Sequence, residues 1–203
     1  MPKRITYFCS EPEKKSMLIK SLLSVSFLFI TIDFCNAQET DWDMASKIVV
    51  RFSPDSFPQL PISINEYLKH EGYTIPQSYL NTGTHNVIKG NFNNVNQIDW
   101  AVLASKNLES SILIFWNGSL DKVSSIAKAP DKDYLQKTSN GAIVFSRSIE
   151  VIGKNMIQRS IKKPKDNKII IKEHSGINDQ FLGKSASIHY LMEDLWYNFE
   201  AKD

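Results

Sequence analysis

Asp99-Trp100-Ala101-Val102-Leu103-Ala104-Ser105 is the stretch that decides the fold. In a strand, Trp100, Val102 and Ala104 face one way and Asp99, Ala101 and Leu103 the other. Both sets are largely apolar, which predicts a central strand covered at least in part on each face. Its neighbours in sequence are also strand-like: 86–92 before it, then 111–116 and 122–127 after it. Asn117-Gly118 is the best hairpin signal in the chain, because both residues tolerate positive φ.

A second set follows at 142–152, 168–173, 185–191 and 195–199. The segment 162–167, KKPKDN, reads as a solvated turn, and Met192-Glu193-Asp194 as a tight turn between the last two strands. Linkers this short favour antiparallel neighbours, since parallel pairing needs long crossovers. Upstream, 62–71 reads ISINEYLKHE and places Ile64, Tyr67 and Leu68 on one helical face. Pro61 falls near its first turn, Ser63 is a candidate cap and Gly72 suits its stop. The apolar stretch 48–52 has no clear type. The expected fold class is α+β: a mainly antiparallel meander of about eight strands, with an N-terminal helix packed on the sheet.

The N-terminus reads differently. Residues 22–32, LLSVSFLFITI, form an apolar run preceded by Lys14, Lys15 and Lys20 and followed by Cys35-Asn36-Ala37. A basic flank, a short apolar stretch and a small residue describe a secretory signal peptide at 1–37, cleaved after Ala37. The run is too short for a membrane span, which needs about 20 apolar residues. A buried helix, an uncleaved anchor and a lipid anchor at Cys35 are the alternatives. Met17 is an alternative initiator, which would leave residues 1–16 upstream of the true start. The single globular domain is then 38–203, periplasmic or secreted, with no membrane span after cleavage.

The whole chain has 203 residues, 42% hydrophobic and 23% charged, which excludes collagen-like and strongly disordered classes. The first 37 residues hold five basic and three acidic side chains, so the rest carries 19 of each. That balance leaves no electrostatic footprint for nucleic acid. Cys9 and Cys35 are the only cysteines, so 38–203 has neither disulfide nor thiol chemistry.

The stretch 89–102, KGNFNNVNQIDWAV, resembles FG-GAP or VCBS repeats, which read Gly-Asp-Phe-Asn-Gly-Asp-Gly-x-x-Asp-Leu-Ala-Val. Gly90, Phe92, Asn93, Asp99, Ala101 and Val102 match. The resemblance implies a calcium loop, but the ligand-type positions are Asn91, Asn93, Val95, Gln97 and Asp99, with one carboxylate between them. Calcium sites usually need several oxygens and more than one carboxylate, so no metal is expected in this degenerate loop. One such unit cannot close a propeller of four or more blades. Further elements between 60 and 199, among them Ser146-Arg147-Ser148-Ile149 and the run from His174 to Tyr190, resemble a group of exported bacterial proteins that brings no activity with it.

Catalytic signatures are sparse. The stretch 178–185, NDQFLGKS, approaches a P-loop but lacks its first glycine and leads into a strand pattern where a helix is required. Ser-x-x-Lys occurs three times without its companion motifs. His70, His85, His174 and His189 show no zinc spacing. The turn at 174–184 carries His174, Asp179 and Lys184, which could act as acid and base if the loop folded back; the alternative is a turn that satisfies its own backbone. Of Trp196 and Tyr197, adjacent on a strand, one is expected to be exposed, where it could stack a sugar or anchor a protein. The expected function is a non-catalytic binding or accessory module of the bacterial envelope, without a cofactor and with an envelope protein or glycan as partner. An exported enzyme using the 174–184 turn, or an inhibitor of an extracellular hydrolase, stands as the alternative.

Overall fold

A computed structural model describes residues 40–160 and 170–201. The expected signal peptide at 1–37, the turn at 162–167 and the start of the strand expected at 168–173 lie outside the described residues. Among the described residues the fold is α+β and β-rich, with antiparallel sheets throughout. The chain runs α1 (Asp41–Lys47), β1 (Arg51–Phe52), α2 (Ile62–His70), β2 (Ile75–Pro76), β3 (Val87–Gly90), β4 (Asp99–Lys106), β5 (Glu109–Phe115) and β6 (Val123–Pro130). It continues with β7 (Leu135–Lys137), β8 (Ile143–Phe145), β9 (Arg147–Ile152), α3 (Lys154–Ser160), β10 (Gly176–Phe181), β11 (Ser185–Met192) and β12 (Leu195–Glu200).

Two four-stranded meanders dominate, ordered β3-β4-β5-β6 and β12-β11-β10-β9. β4 is interior to the first, with its sequence neighbours on either side, and pairs Leu103 with Ile112 and Trp100 with Phe115. Its alternation divides as the sequence predicts. Val102 and Ala104 pack with Ile64, Leu68, Phe57 and Phe115 beneath α2. Ala101 and Leu103 pack with Ile112, Ile114, Ile149, Ile177 and Leu191, joining the first sheet to the second. A third cluster, Ile152, Ile157, Ile171, Ile188 and Tyr190, covers the far face of the second sheet with α3. Each fully buried aliphatic side chain contributes about 1.5–3 kcal/mol.

α2 starts at an uncapped Pro61 rather than through Ser63, because the Pro61 carbonyl already takes the Asn65 N–H at 3.0 Å. It stops where Gly72 enters the left-handed region at φ 76° and Tyr73 N–H reaches back to the Leu68 carbonyl at 2.8 Å. Trp100 is half-buried, below Lys89, so it is a core edge rather than a core centre.

Three expectations change. The run 142–152 breaks at Ser146, whose N–H goes to the Tyr134 carbonyl; Ile143–Phe145 pairs with β7, and Arg147 opens the second sheet. Residues 170–173 are not a strand; they lay Ile171 on the far face while Ile170 stays exposed. The strand is instead Gly176–Phe181, inside the segment read as a turn. α1 and α3, both short, were not anticipated; Thr40 caps α1 through a capping box with Asp43.

Candidate functional site

Arg147, Asp179 and His189 meet between the two sheets. Arg147 holds Asp179 bidentately, Nε to Oδ1 at 2.9 Å and Nη2 to Oδ2 at 2.7 Å. Its remaining donors reach Ser110 Oγ at 3.1 Å and the Ala127 carbonyl at 2.7 Å, and the Tyr134 ring lies 4.3 Å from Cζ. Ala127 presents that carbonyl from a β-bulge at φ 52°. His189 Nε2 donates to Asp179 Oδ2 at 3.3 Å. Burial pushes the Asp179 carboxyl up, but the bonds from His189 and Arg147 and the guanidinium charge outweigh it and hold it below 3.8. Arg147 is wholly buried and both partners are 6% exposed, so the cluster is almost sealed from solvent.

The three candidates of the 174–184 segment, His174, Asp179 and Lys184, are held apart. His174 stacks on Tyr190 at 4.4 Å and 9° and engages the Ser175 carbonyl through Nδ1. Tyr190 and His189 are consecutive on β11 and face opposite ways, so His174 and Asp179 lie on opposite faces of the second sheet. Lys184 sits in the β10–β11 turn with Nζ over the Phe181 ring.

In the 91–99 loop, Asp99 is fully buried and acts as a staple. Its Oδ2 accepts the Phe92 N–H at 2.9 Å, and Oδ1 accepts Asn117 N–H at 2.9 Å and Gln97 Nε2 at 2.5 Å. Asn91 Nδ2 donates to the Val95 and Gln97 carbonyls at 3.1 and 2.5 Å. One amide nitrogen thus gathers two carbonyl oxygens of the loop. Asn93 takes no part and points to solvent.

Two clefts among the described residues open to solvent. The larger, about 520 Å³, lies between α1, β1, the 77–85 segment and β8. Its walls include Val49, Val50, Phe52, Ile143, Val144 and Phe145, and its polar lining is Gln77, Ser78, Asn81, Thr84 and His85. Among the described residues lining it, none carries an ammonium, guanidinium or carboxylate. His85 Nδ1 lies 3.1 Å from the Gly83 carbonyl and so bears the proton, while Nε2 accepts the Ser78 backbone N–H at 2.7 Å with Ser78 Oγ 2.9 Å away. Burial pushes the His85 imidazole below 6.5, against the opposing pull of the Gly83 carbonyl. Ile48, Val50 and Tyr79 leave apolar surface exposed at the rim.

The smaller cleft, about 240 Å³, lies at Trp116 and Trp196, whose rings stack at 6.0 Å and 29°. Tyr197, the neighbour of Trp196, is 40% exposed and stacks on Phe199. The Ser78–His85 pair carried no sequence signal beyond the presence of a histidine. Arg147 did carry one: a charged residue between Ser146 and Ser148, inside the strand-like run 142–152, needs a buried partner where that strand is internal. Comparison with protein-family models, curated proteins and solved structures gives no match for this chain.

Proposed function

We propose that residues 38–203 are an exported, non-catalytic binding module of the bacterial envelope, and that the 520 Å³ cleft is its ligand site. The observation that carries this is the cleft's composition: apolar walls, an uncharged polar lining and exposed apolar side chains at the rim. An apolar cavity with a few converging hydrogen-bonding groups is the usual form of a small-ligand site. Its matching ligand is an uncharged, elongated apolar molecule with one hydrogen-bonding end, since a formal charge would be desolvated there without a partner.

A binding role is favoured over catalysis by the hydrogen bonding of His85. The single lone pair of Nε2 is directed at the Ser78 backbone N–H, so the imidazole is not free to take the Ser78 hydroxyl proton. No helix among the described residues is long and apolar enough to cross a membrane.

Titration with the neutral apolar dye N-phenyl-1-naphthylamine tests the site. Saturable fluorescence enhancement is expected, and Val50→Glu should abolish it with an unchanged circular dichroism spectrum, because Val50 is 59% exposed. Absence of enhancement, or equal enhancement in the variant, refutes the assignment. Export is tested separately, by N-terminal sequencing of the product from a bacterial envelope fraction. The expected start is Gln38, and an acylated Cys35 or an intact N-terminus refutes it.

A further inference from the structure

We propose that the Trp116–Trp196 cleft is a second, independent ligand site, and that it takes a neutral saccharide, one pyranose ring lying against the open surface of Trp196, which Trp116 backs. The floor is built and rigid. Trp116 is almost fully buried, Nε1 donates to Ser124 Oγ at 2.9 Å, and Trp196 stacks against it while keeping part of its own surface open. The face of a pyranose carries C–H groups of partial positive charge, which suit the negative face of an aromatic ring.

The rim supplies the complementary polar groups. Asn93, Lys122 and Asp194 border the cleft, and none of these side chains makes a hydrogen bond or ion pair among the described residues. Lys122 Nζ rests 5.7 Å from the Trp116 ring centroid. Gln97 commits its Nε2 to Asp99, which leaves its carbonyl oxygen to accept from a ligand. Amide, ammonium and carboxylate together offer donors and acceptors in the mixture that vicinal hydroxyls require. One cation and one anion balance, which favours a neutral ligand over a phosphate or a uronic acid.

The backbone of the two walls is also fixed before any ligand arrives. Asn93 and Gln97 belong to the loop stapled by Asp99. Asp194 follows Glu193 in the two-residue turn between β11 and β12, at φ 62° and 51°. A fixed backbone leaves only side-chain rotamers to order on binding, which matters most for a weak, hydrated ligand. A volume of about 240 Å³ is below the usual span for drug-sized ligands, about 300–1,000 Å³, and holds one ring with the rest of a chain outside.

The test is calorimetric titration of the full chain with cellotriose, maltotriose and chitotriose, followed in parallel by tryptophan fluorescence. At least one is expected to bind at millimolar concentration and to perturb the emission. Trp196→Ala should weaken that binding about tenfold or more. Because Trp196 also touches the core, Asp194→Gly is the decisive variant: glycine suits the positive φ, so the fold is kept while the rim carboxylate is lost. Val50→Glu, in the other cleft, should leave saccharide binding unchanged. Failure of all three sugars to bind, binding that survives Asp194→Gly undiminished, or displacement of the sugar by N-phenyl-1-naphthylamine overturns the proposal.

Discussion

Arg147 makes no contact with solvent, so everything that neutralises it must come from the protein. Asp179→Asn keeps the shape and removes the charge, and it should cost about 3–5 kcal/mol in chemical denaturation, the usual penalty for stranding a buried ion. The folded carboxyl titrates below its unfolded value, so the pair's contribution is complete above about pH 3.9 and is lost as pH falls through the folded value. The gap between wild type and Asp179→Asn should therefore narrow under acid and stay constant at neutral pH. His85 follows the same sign. Its folded value lies below 6.5, so its contribution is present above that pH and lost on further acidification. At pH 6.5 its ring carbons should report a mostly neutral imidazole by nuclear magnetic resonance, and a half-protonated ring there would contradict the hydrogen bonding assigned to Ser78. Asn91 allows a gain-of-function test. Asn91→Asp aims a carboxylate at the Val95 and Gln97 carbonyls and should destabilise by about 1–3 kcal/mol. Millimolar calcium should restore part of that loss in the variant while leaving wild-type thermal unfolding unchanged. A variant indifferent to calcium would show that the amide does not occupy a cation's place.

The turns are where single elements carry strain. Asn107 and Leu108 connect β4 to β5 at φ 55° and 62°, the geometry of a two-residue type I′ turn. Leucine at such a φ costs about 1–2 kcal/mol, and Leu108 is 37% exposed, so Leu108→Gly gives up little packing. Melting of that variant should show a gain of about 1 kcal/mol; a loss would mean that Leu108 packs more tightly than its exposure indicates. The same elements show what a sequence displays and what it hides. α2 and β4 were legible because their apolar residues repeat at helical and strand periods with nothing interrupting them. Asn117-Gly118 was legible because its backbone requirement is local, and both residues do take positive φ. β10 was not legible. GINDQF points Ile177 and Asp179 into the same core, and only the distant Arg147 makes the second of these acceptable there. The break at Ser146 was hidden for a similar reason, since it depends on a carbonyl at Tyr134 that no local pattern announces. Both clefts are assembled from segments far apart in the chain, so their residues share no spacing that a motif could capture.

At the scale of the molecule, α2, the first sheet, the second sheet and α3 form successive layers, each pair closed by its own apolar cluster. α1 enters the first of these clusters through Ala45 and is also held by polar contacts: Arg51 Nη2 bonds the Ser46 carbonyl at 2.9 Å and Asp131 Oδ2 at 2.5 Å, and Ser105 Oγ shares that oxygen at 2.6 Å. The two clefts share no lining residue, which predicts that they respond separately. Val50→Glu and Asp194→Gly, combined, should show losses of dye and saccharide binding equal to those of the single variants, as for sites without shared partners. Cooperativity between the two ligands would show coupling through the apolar cluster that contributes walls to both clefts. The order of the strands has one further consequence, for synthesis rather than for binding. Every strand of the first sheet precedes every strand of the second, and the pairings within the first join chain neighbours. Such local closures cost little loop entropy and form early. On the ribosome the first sheet can therefore close while the second is still unmade, its inner face of Leu103, Ile112 and Ile114 bare for that interval. Arg147 is the first residue of the second sheet to emerge, and its acceptors at Ser110 and Ala127 are by then already in place. The buried guanidinium thus finds a partly built seat waiting, and Asp179, which arrives last of the acceptors, closes it.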